Sequence, residues 1–379
     1  MQQRLFFNDE QEMIIQTARK FAEKEMMPVA GEMDEREEFP EGILRKMGEL
    51  GFMGLLCPEE YGGSGMDTVT YAAVAEEIGR GWIAVGGAFS VHIMVEQLIL
   101  KYGTEEQKSK YLPRLCSGEL LGAIAMTEPG AGSDLSAIRS SAEKINDGFR
   151  LNGNKIFITT GGEADVYLVL FRTGPERSNT SVFVVEKGAA GFTFGKKERK
   201  MGYGSSPTRE LIFEDCFVPA ENLVGGAGKG MEIVLSSLDS GRIGVAAISV
   251  GVAQAAYEYA LQYASQRVQF GRPIADFQGI QFMLADMVTG INASRLLVYQ
   301  AARLRDAGLP YTCEAAMAKL FASDTAMNVT TDAVQILGGY GYMKEYPVER
   351  YMREAKMLQI VEGTNQIQRV VIARNILKK

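Results

Sequence analysis

Histidine is nearly missing: His92 is the only one in 379 residues. A site built from several imidazoles is therefore excluded, and a Ser-His-Asp triad would need that one position. Cysteine is scarce as well. Cys57, Cys116, Cys216 and Cys313 form no Cys-x-x-Cys pair, a pattern that fits neither a disulfide scaffold nor a zinc site and that a reducing compartment permits. There is no basic excess. The 40 Lys and Arg against 47 Asp and Glu leave a net charge of −7, which argues against a nucleic-acid partner. Long apolar runs are lacking too. The stretches Trp82 to Val95 and Ile243 to Tyr257 fall short of the roughly 18 residues of a membrane span, and they contain His, Gln or Ser. The start, Met1 to Phe7, runs into Asn8-Asp9-Glu10 without an apolar signal core, so a cytoplasmic protein with no membrane span is expected.

What is present is ordinary for a folded chain: 46% hydrophobic and 23% charged residues, with length for two or three structural units. Residues from about 10 to 120 read as helical. Asn8 or Asp9 can cap, and Ile14, Ala18, Phe21 and Ala22 recur at helical spacing until Pro28 stops the pattern. Further helical segments run from Pro40 to Gly51, around Val69 to Ile78, after Trp82, and near Glu105 to Tyr111. From Leu121 to Val224 short β runs dominate, among them Val166 to Phe171, Ser181 to Val185 and Glu210 to Phe213, and Asn152-Gly153 reads as a hairpin turn. After Gly225-Gly226-Ala227-Gly228-Lys229-Gly230 the helical period returns in four long segments. They cover about Met231 to Ala264, Phe277 to Asp306, Cys313 to Leu337 and Asn365 to Leu377. The expected class is α+β: an N-terminal α-helical domain over 1–120, a middle antiparallel β-barrel or sandwich over 121–225, and a C-terminal four-helix bundle over 226–379.

Local motifs separate unevenly. The glycine-rich linker is not a Walker loop, since Leu223 stands at the first glycine position and Gly230 follows Lys229. Gly130-Ala131-Gly132 lacks the last glycine of a dinucleotide fingerprint, and the βαβ alternation is absent. Thr127 to Asp134 is either a turn or a loop whose glycines and hydroxyls approach a ligand closely. The glycines of Gln335 to Gly341 either turn the chain or admit a flat cofactor. Glu362 follows two apolar residues, Ile360 and Val361, and precedes a helix that Thr364 can cap. It is either a solvated loop glutamate or a buried carboxylate whose raised pKa makes it a competent base.

Together, Met126 to Asp134, Lys155 to Thr159, Gln266 to Ile274, Gln335 to Gly341 and Glu362 to Gln368 resemble the acyl-CoA dehydrogenase family over essentially the whole chain. The resemblance implies FAD held between the β unit and the bundle. Met126, Thr127, Ser133, Phe157, Thr159, Thr364 and Gln366 match flavin-side contacts. Arg267, Gln269, Phe270, Gln335 and Gly339 match residues that bind the diphosphate and adenosine of a neighbouring subunit's FAD, within a homotetramer built as a dimer of dimers. Glu362 matches the catalytic base; a subgroup carries that carboxylate at the position of Gly241, where glycine cannot serve. Ser133, Asp239, Arg242 and Gly363 match the substrate side, and no metal is implied.

The implied chemistry is α-proton removal from an acyl-CoA thioester while the β-hydrogen leaves as hydride to the flavin, giving a trans-2-enoyl-CoA. Electrons then pass to an electron-transferring flavoprotein. Two residues depart from the family pattern: Val361 stands where an aromatic precedes the base, and Ile124 where one precedes the flavin loop. Ser240 to Gly244 resembles the short-chain and short-branched members, and the lost ring beside the base argues for a branched or cyclic acyl group. The competing readings are an acyl-CoA oxidase that uses oxygen and a non-catalytic scaffold for acyl-CoA or a carrier protein. The scaffold predicts a defect at the base or flavin loop, and Glu362, Thr127 and Arg267 are all present. His92 is expected to pack rather than to transfer protons.

Overall fold

The structure is a computed structural model that describes residues 7–377. The absence of a leader was read largely from residues 1–6, which lie outside the described residues, as do 378–379. Asn8 and Gln11 cap the first helix reciprocally, each side chain accepting the other's backbone N–H at 2.9 Å. That helix, α1 (Asp9–Phe21), does not stop at Pro28. It passes through a π-helical stretch, Ala22–Met26, into α2 (Met27–Glu35). Pro28 is the second residue of α2, directly after the π-helical stretch, so the change of helical hydrogen bonding falls where the proline withholds an N–H. There follow α3 (Glu41–Glu49), α4 (Thr68–Gly81), α5 (Ile83–Tyr102) and α6 (Glu105–Cys116).

The middle of the chain forms one sheet of eight strands: β1 (Gly122–Ala125), β2 (Ser141–Ile145), β3 (Gly148–Thr159), β4 (Val166–Arg172), β5 (Thr180–Glu186), β6 (Phe192–Lys197), β7 (Thr208–Pro219) and β8 (Leu223–Val224). Two expectations are corrected here. The sheet is mixed, since β1 and β2 both pair parallel to β4. It is also not a closed barrel, because the order β6-β7-β3-β2-β4-β5-β8 ends on two strands that do not meet. It folds over an aromatic core in which Phe149 meets Phe183 at 4.8 Å and Phe171 meets Phe213 at 5.0 Å. The second face of β4 and β5 packs on α5 and α6 through Leu168, Leu170, Val182 and Val184. Burial on both faces explains why these strands are unbroken apolar runs.

The hairpin is corrected as well. The chain turns at Asn146-Asp147 between β2 and β3, while Asn152-Gly153 lies inside β3 at a register shift against β7. Gly153 has φ +127°, and a Cβ there would run into Ser140, so the dipeptide marks a bulge and not a turn.

The last third comprises α7 (Gly230–Gln266), a hairpin of β9 (Val268–Gln269) and β10 (Arg272–Pro273), α8 (Gln278–Asp306), α9 (Thr312–Leu337), α10 (Val348–Leu358) and α11 (Asn365–Ile376). Helices α7, α8 and α9 pack on one another, and α10 and α11 both lie against α9. α10 is absent from the sequence reading. The long core helix α7 also packs on α4. A Cβ at Gly251 would overlap the Glu76 carbonyl oxygen, so glycine sets how closely these two helices approach.

The two carboxylates on α4 are buried and paired with half-buried arginines: Glu76 meets Arg295 and Glu77 meets Arg19, each at 2.7 Å. Contrary to the reading of short apolar runs, α5 and α7 are long and apolar enough to cross a membrane by length and composition. Their most apolar windows are 78% and 83% buried inside the chain, as in a core helix.

Candidate active site

Glu362 sits in the short connection between α10 and α11, so backbone geometry and not helical periodicity fixes its direction. Its φ is +53°, a left-handed conformation that a non-glycine residue adopts at a cost of roughly 1–3 kcal/mol and keeps only where its surroundings enforce it. Those surroundings are a clamp of buried polar groups. Lys319 on α9 donates to the Gly363 carbonyl at 3.0 Å and to Asn365 Oδ1 at 2.8 Å. Gln368 donates back to the Glu362 and Gly363 carbonyls at 3.2 and 2.7 Å, and Asn365 donates to Ser323 and Asp324. Thr364 accepts the Ile367 N–H and caps α11. Lys319 and Gln368 are fully buried, yet the sequence reading gave neither a role. A lone lysine on the alanine face of Ala315, Ala318, Ala322 and Ala326 was the signal that could have found the first.

The Glu362 carboxylate has one oxygen, Oε2, that is buried and accepts no hydrogen bond. Burial lifts its pKa to about 7, against the pull of the nearby Arg242 and Lys319 charges. Among the described residues no acceptor takes the Glu362 backbone N–H either. Across from the carboxylate stands Gly241 on α7, where a Cβ would overlap Glu362 Oε2 and lie 2.6 Å from Met94 Sδ. The two positions that the resemblance linked to one carboxylate thus share one space. Next to it, Arg242 donates to Asp239 Oδ1 at 2.6 Å and Thr312 donates to Asp239 Oδ2 at 2.6 Å. Asp239 is therefore engaged within the chain, while Arg242 Nε is buried with no partner.

The two β-unit motifs also meet. Ile156 N–H donates to the Thr127 carbonyl at 2.9 Å, which joins the loop after β1 to the end of β3. The loop is pinned from below by Glu128, which receives Lys155 at 2.6 Å, Arg139 N–H at 2.6 Å and Ser140 N–H at 3.1 Å. Lys155 is fully buried, and this ion pair was not foreseen. Met126, Thr127 and Thr159 are half-buried and Ser133 is exposed. Phe157, at φ +58°, leaves 66% of its surface open.

At the far end of α7, Arg267, Gln269 and Gly339 line one open cleft of about 460 Å³ with Tyr263, Leu337 and Tyr340. Gln335, Phe270 and Gln366 are exposed outside that lining; Phe270, at the tip of the β9–β10 hairpin, is 94% open. Apolar rings held out this far are surface that a ligand or another chain would cover. His92 does not join any of these groups. It is buried and neutral, its pKa pushed down to about 4 by burial, with Nε2 on the Leu115 carbonyl and Nδ1 accepting Gly122 N–H.

The helical–β–helical order and an unpartnered carboxylate under the influence of the Arg242 and Lys319 charges are the features that set the class of protein. Residues 8–119, 123–216 and 228–377 match the family models described as the acyl-CoA dehydrogenase N-terminal, middle and C-terminal domains. The chain belongs to the acyl-CoA dehydrogenase family, which comprises flavoprotein oxidoreductases. It is 53% identical to an acyl-CoA dehydrogenase of Bacillus subtilis, over 97% of this chain and 98% of that one. It is 47% identical to a short-chain specific acyl-CoA dehydrogenase of Clostridium acetobutylicum, over 97% and 98% of the two chains.

Among solved structures, a chain from the work on the electron transferring flavoprotein of Acidaminococcus fermentans matches with a TM-score of 0.97 and 49% identity, covering 98% of this chain and 99% of that one. An acyl-CoA dehydrogenase from Bacillus anthracis complexed with FAD matches with a TM-score of 0.94 and 38% identity, covering 98% and 67%.

Proposed function

We propose that the chain carries out α,β-dehydrogenation of an acyl-CoA thioester with FAD as cofactor and Glu362 as the base. The observation that carries this reading is the buried, unpartnered Glu362 Oε2 facing Gly241. A carboxylate whose pKa burial has raised to about 7 is matched to proton removal near neutrality. Arg242 and Lys319 favour its charged form and offset part of the cost of burial, so the carboxyl can ionise near neutrality without a hydrogen bond that would have to break first. The free Glu362 N–H is a donor available to a thioester oxygen, where charge develops as the α-proton leaves. Arg242, fixed by Asp239, holds the helix side of the site. Asp239 then acts on the substrate mainly by placing that arginine, with Ser133 and Gly363 at the margins of the same site.

The residues present fit FAD: the joined loops carrying Met126, Thr127, Ser133, Phe157 and Thr159 offer an open aromatic face and backbone groups, and the family resemblance adds Thr364, the cap of α11, and the exposed Gln366 to the flavin contacts. When bound, FAD supplies the acceptor for the β-hydrogen and its electron pair. Arg267, Gln269, Phe270, Gln335 and Gly339 serve the cofactor of a neighbouring subunit in a homotetramer; the cleft at Arg267 and the protruding Phe270 support this. An electron-transferring flavoprotein is the acceptor, supported by the Acidaminococcus match. The unpaired cysteines support a cytoplasmic location. Element content supports three units over 1–120, 121–225 and 226–379.

The short-chain relative supports a short acyl group, and Val361, half-buried beside the base, favours a branched or cyclic one. The test is anaerobic titration with butyryl-, isobutyryl- and cyclohexanecarbonyl-CoA, following flavin bleaching in wild type and Glu362→Gln. The variant is expected to bind FAD normally and to lose at least roughly 10²–10⁴-fold in bleaching rate. Bleaching that survives in the variant would remove Glu362 from the role, and a clear preference for the linear chain would remove the branched or cyclic assignment.

A further inference from the structure

Away from the active site, three ligating side chains converge where the N-terminal helices pack together. Cys57 follows a 3₁₀ turn at Phe52–Gly54, Cys116 ends α6, and Glu96 lies on α5. All three are buried, and the two sulfurs and a carboxylate oxygen lie within 4.8 Å of one another. Glu96 is 0% exposed and forms no ion pair among the described residues. Its contacts are a long bond from Gln97 at 3.3 Å and the Cys116 thiol at 3.6 Å. A carboxyl group buried without a cation is costly, and nothing in the proposed mechanism uses it.

We propose that Cys57, Cys116 and Glu96 bind one thiophilic divalent cation of the zinc class. The spacing is right for it. Tetrahedral zinc with Zn–S of about 2.3 Å and Zn–O of about 2.0 Å sets sulfur and oxygen roughly 3.5 Å apart. Cys116 Sγ and Glu96 Oε2 stand 3.6 Å apart without any ion to draw them in.

The site is also rigid. A Cβ at Gly54 would lie 2.7 Å from Cys116 Cβ, and one at Gly63 would lie 2.6 Å from Cys57 Cβ, so glycine backbones press on both cysteines. His92, one turn before Glu96, is not a fourth ligand, because both ring nitrogens are already engaged. The fourth position is left to water. Binding exchanges the two thiol protons and the carboxyl proton, released to solvent, for the cation. The cation ties the loop after Phe52 to α5 and α6.

The experiment dialyses purified holoenzyme against zinc chloride, removes free metal and measures zinc and FAD per chain. Wild type is expected to keep about one zinc, and Glu96→Gln to bind it at least ~10-fold more weakly. Cys57→Ser and Cys116→Ser are expected to keep FAD and lose the zinc, whereas Cys313→Ser keeps both. Cadmium gives a second readout on wild type alone, a thiolate charge-transfer band in the ultraviolet that does not depend on whether a variant folds. Wild type that retains no zinc and develops no such band overturns the proposal, as does zinc retained equally by Cys57→Ser and Cys116→Ser.

Discussion

Burial holds the Glu362 carboxyl towards its acid form while the proposed role needs its base form, and pH separates the two. Its folded pKa of about 7 lies above the ordinary 4.5, so between those values the folded chain holds more protons than the unfolded one. Stability linked to this group is present below about 4.5 and is lost as pH rises to about 7. Activity runs the other way, rising through the same range as the carboxylate ionises. Glu362→Gln is therefore expected to melt like wild type near pH 4.5 and above it at pH 8, by about 1–3 kcal/mol. Thermal melts at the two pH values check this; an equal offset at both would show that the carboxylate titrates no differently when folded. Glu354, also pushed up to about 8 by burial, is common to both proteins and cancels.

The element that needs support is the loop after β1, and its anchor is the buried pair Lys155–Glu128. Lys155→Met leaves a carboxylate buried without its cation, a loss of about 3–5 kcal/mol in stability. FAD should also be held less tightly, because the backbone of Thr127 is fixed through the same residues. Denaturant unfolding and flavin titration measure the two effects, and unchanged flavin affinity in a destabilised variant would separate the anchor from the cofactor.

This is also the scale at which sequence and structure part. Elements with a strong apolar signal of their own, such as α4, α7 and the unbroken runs of β4 and β5, were legible because their burial is written along one element. Lys155, Lys319 and Gln368 were not, because each acts on a segment distant in the chain or across a turn, and a buried lysine looks like any other until its partner is placed. The bulge at Gly153 looked like a turn for a related reason: the dipeptide marks an unusual φ, and only the neighbouring strand β7 decides whether the chain reverses there.

Over the whole molecule, the residues assigned to FAD fall into two groups. One lies on the loop after β1, at the end of β3 and next to Glu362 along the chain; the other comprises Arg267, Gln269 and Gly339 in the cleft, Phe270 at the tip of the β9–β10 hairpin and the exposed Gln335. If the second group serves the cofactor of a neighbouring chain, flavin retention depends on assembly. With wild type running at the mass of the proposed four-chain assembly, Phe270→Ser is then expected to run at lower mass in sedimentation, and to lose FAD on dilution several-fold more readily. Full flavin content in a species of single-chain mass would show that one chain binds the cofactor unaided.

The missing methyl at 241 has a consequence for how such a site can change over evolution. Helix and loop share a single pocket of volume, so a side chain added at 241 displaces the Glu362 carboxylate from its present place. A lineage that set an acid on the helix would have had to re-aim the one on the loop.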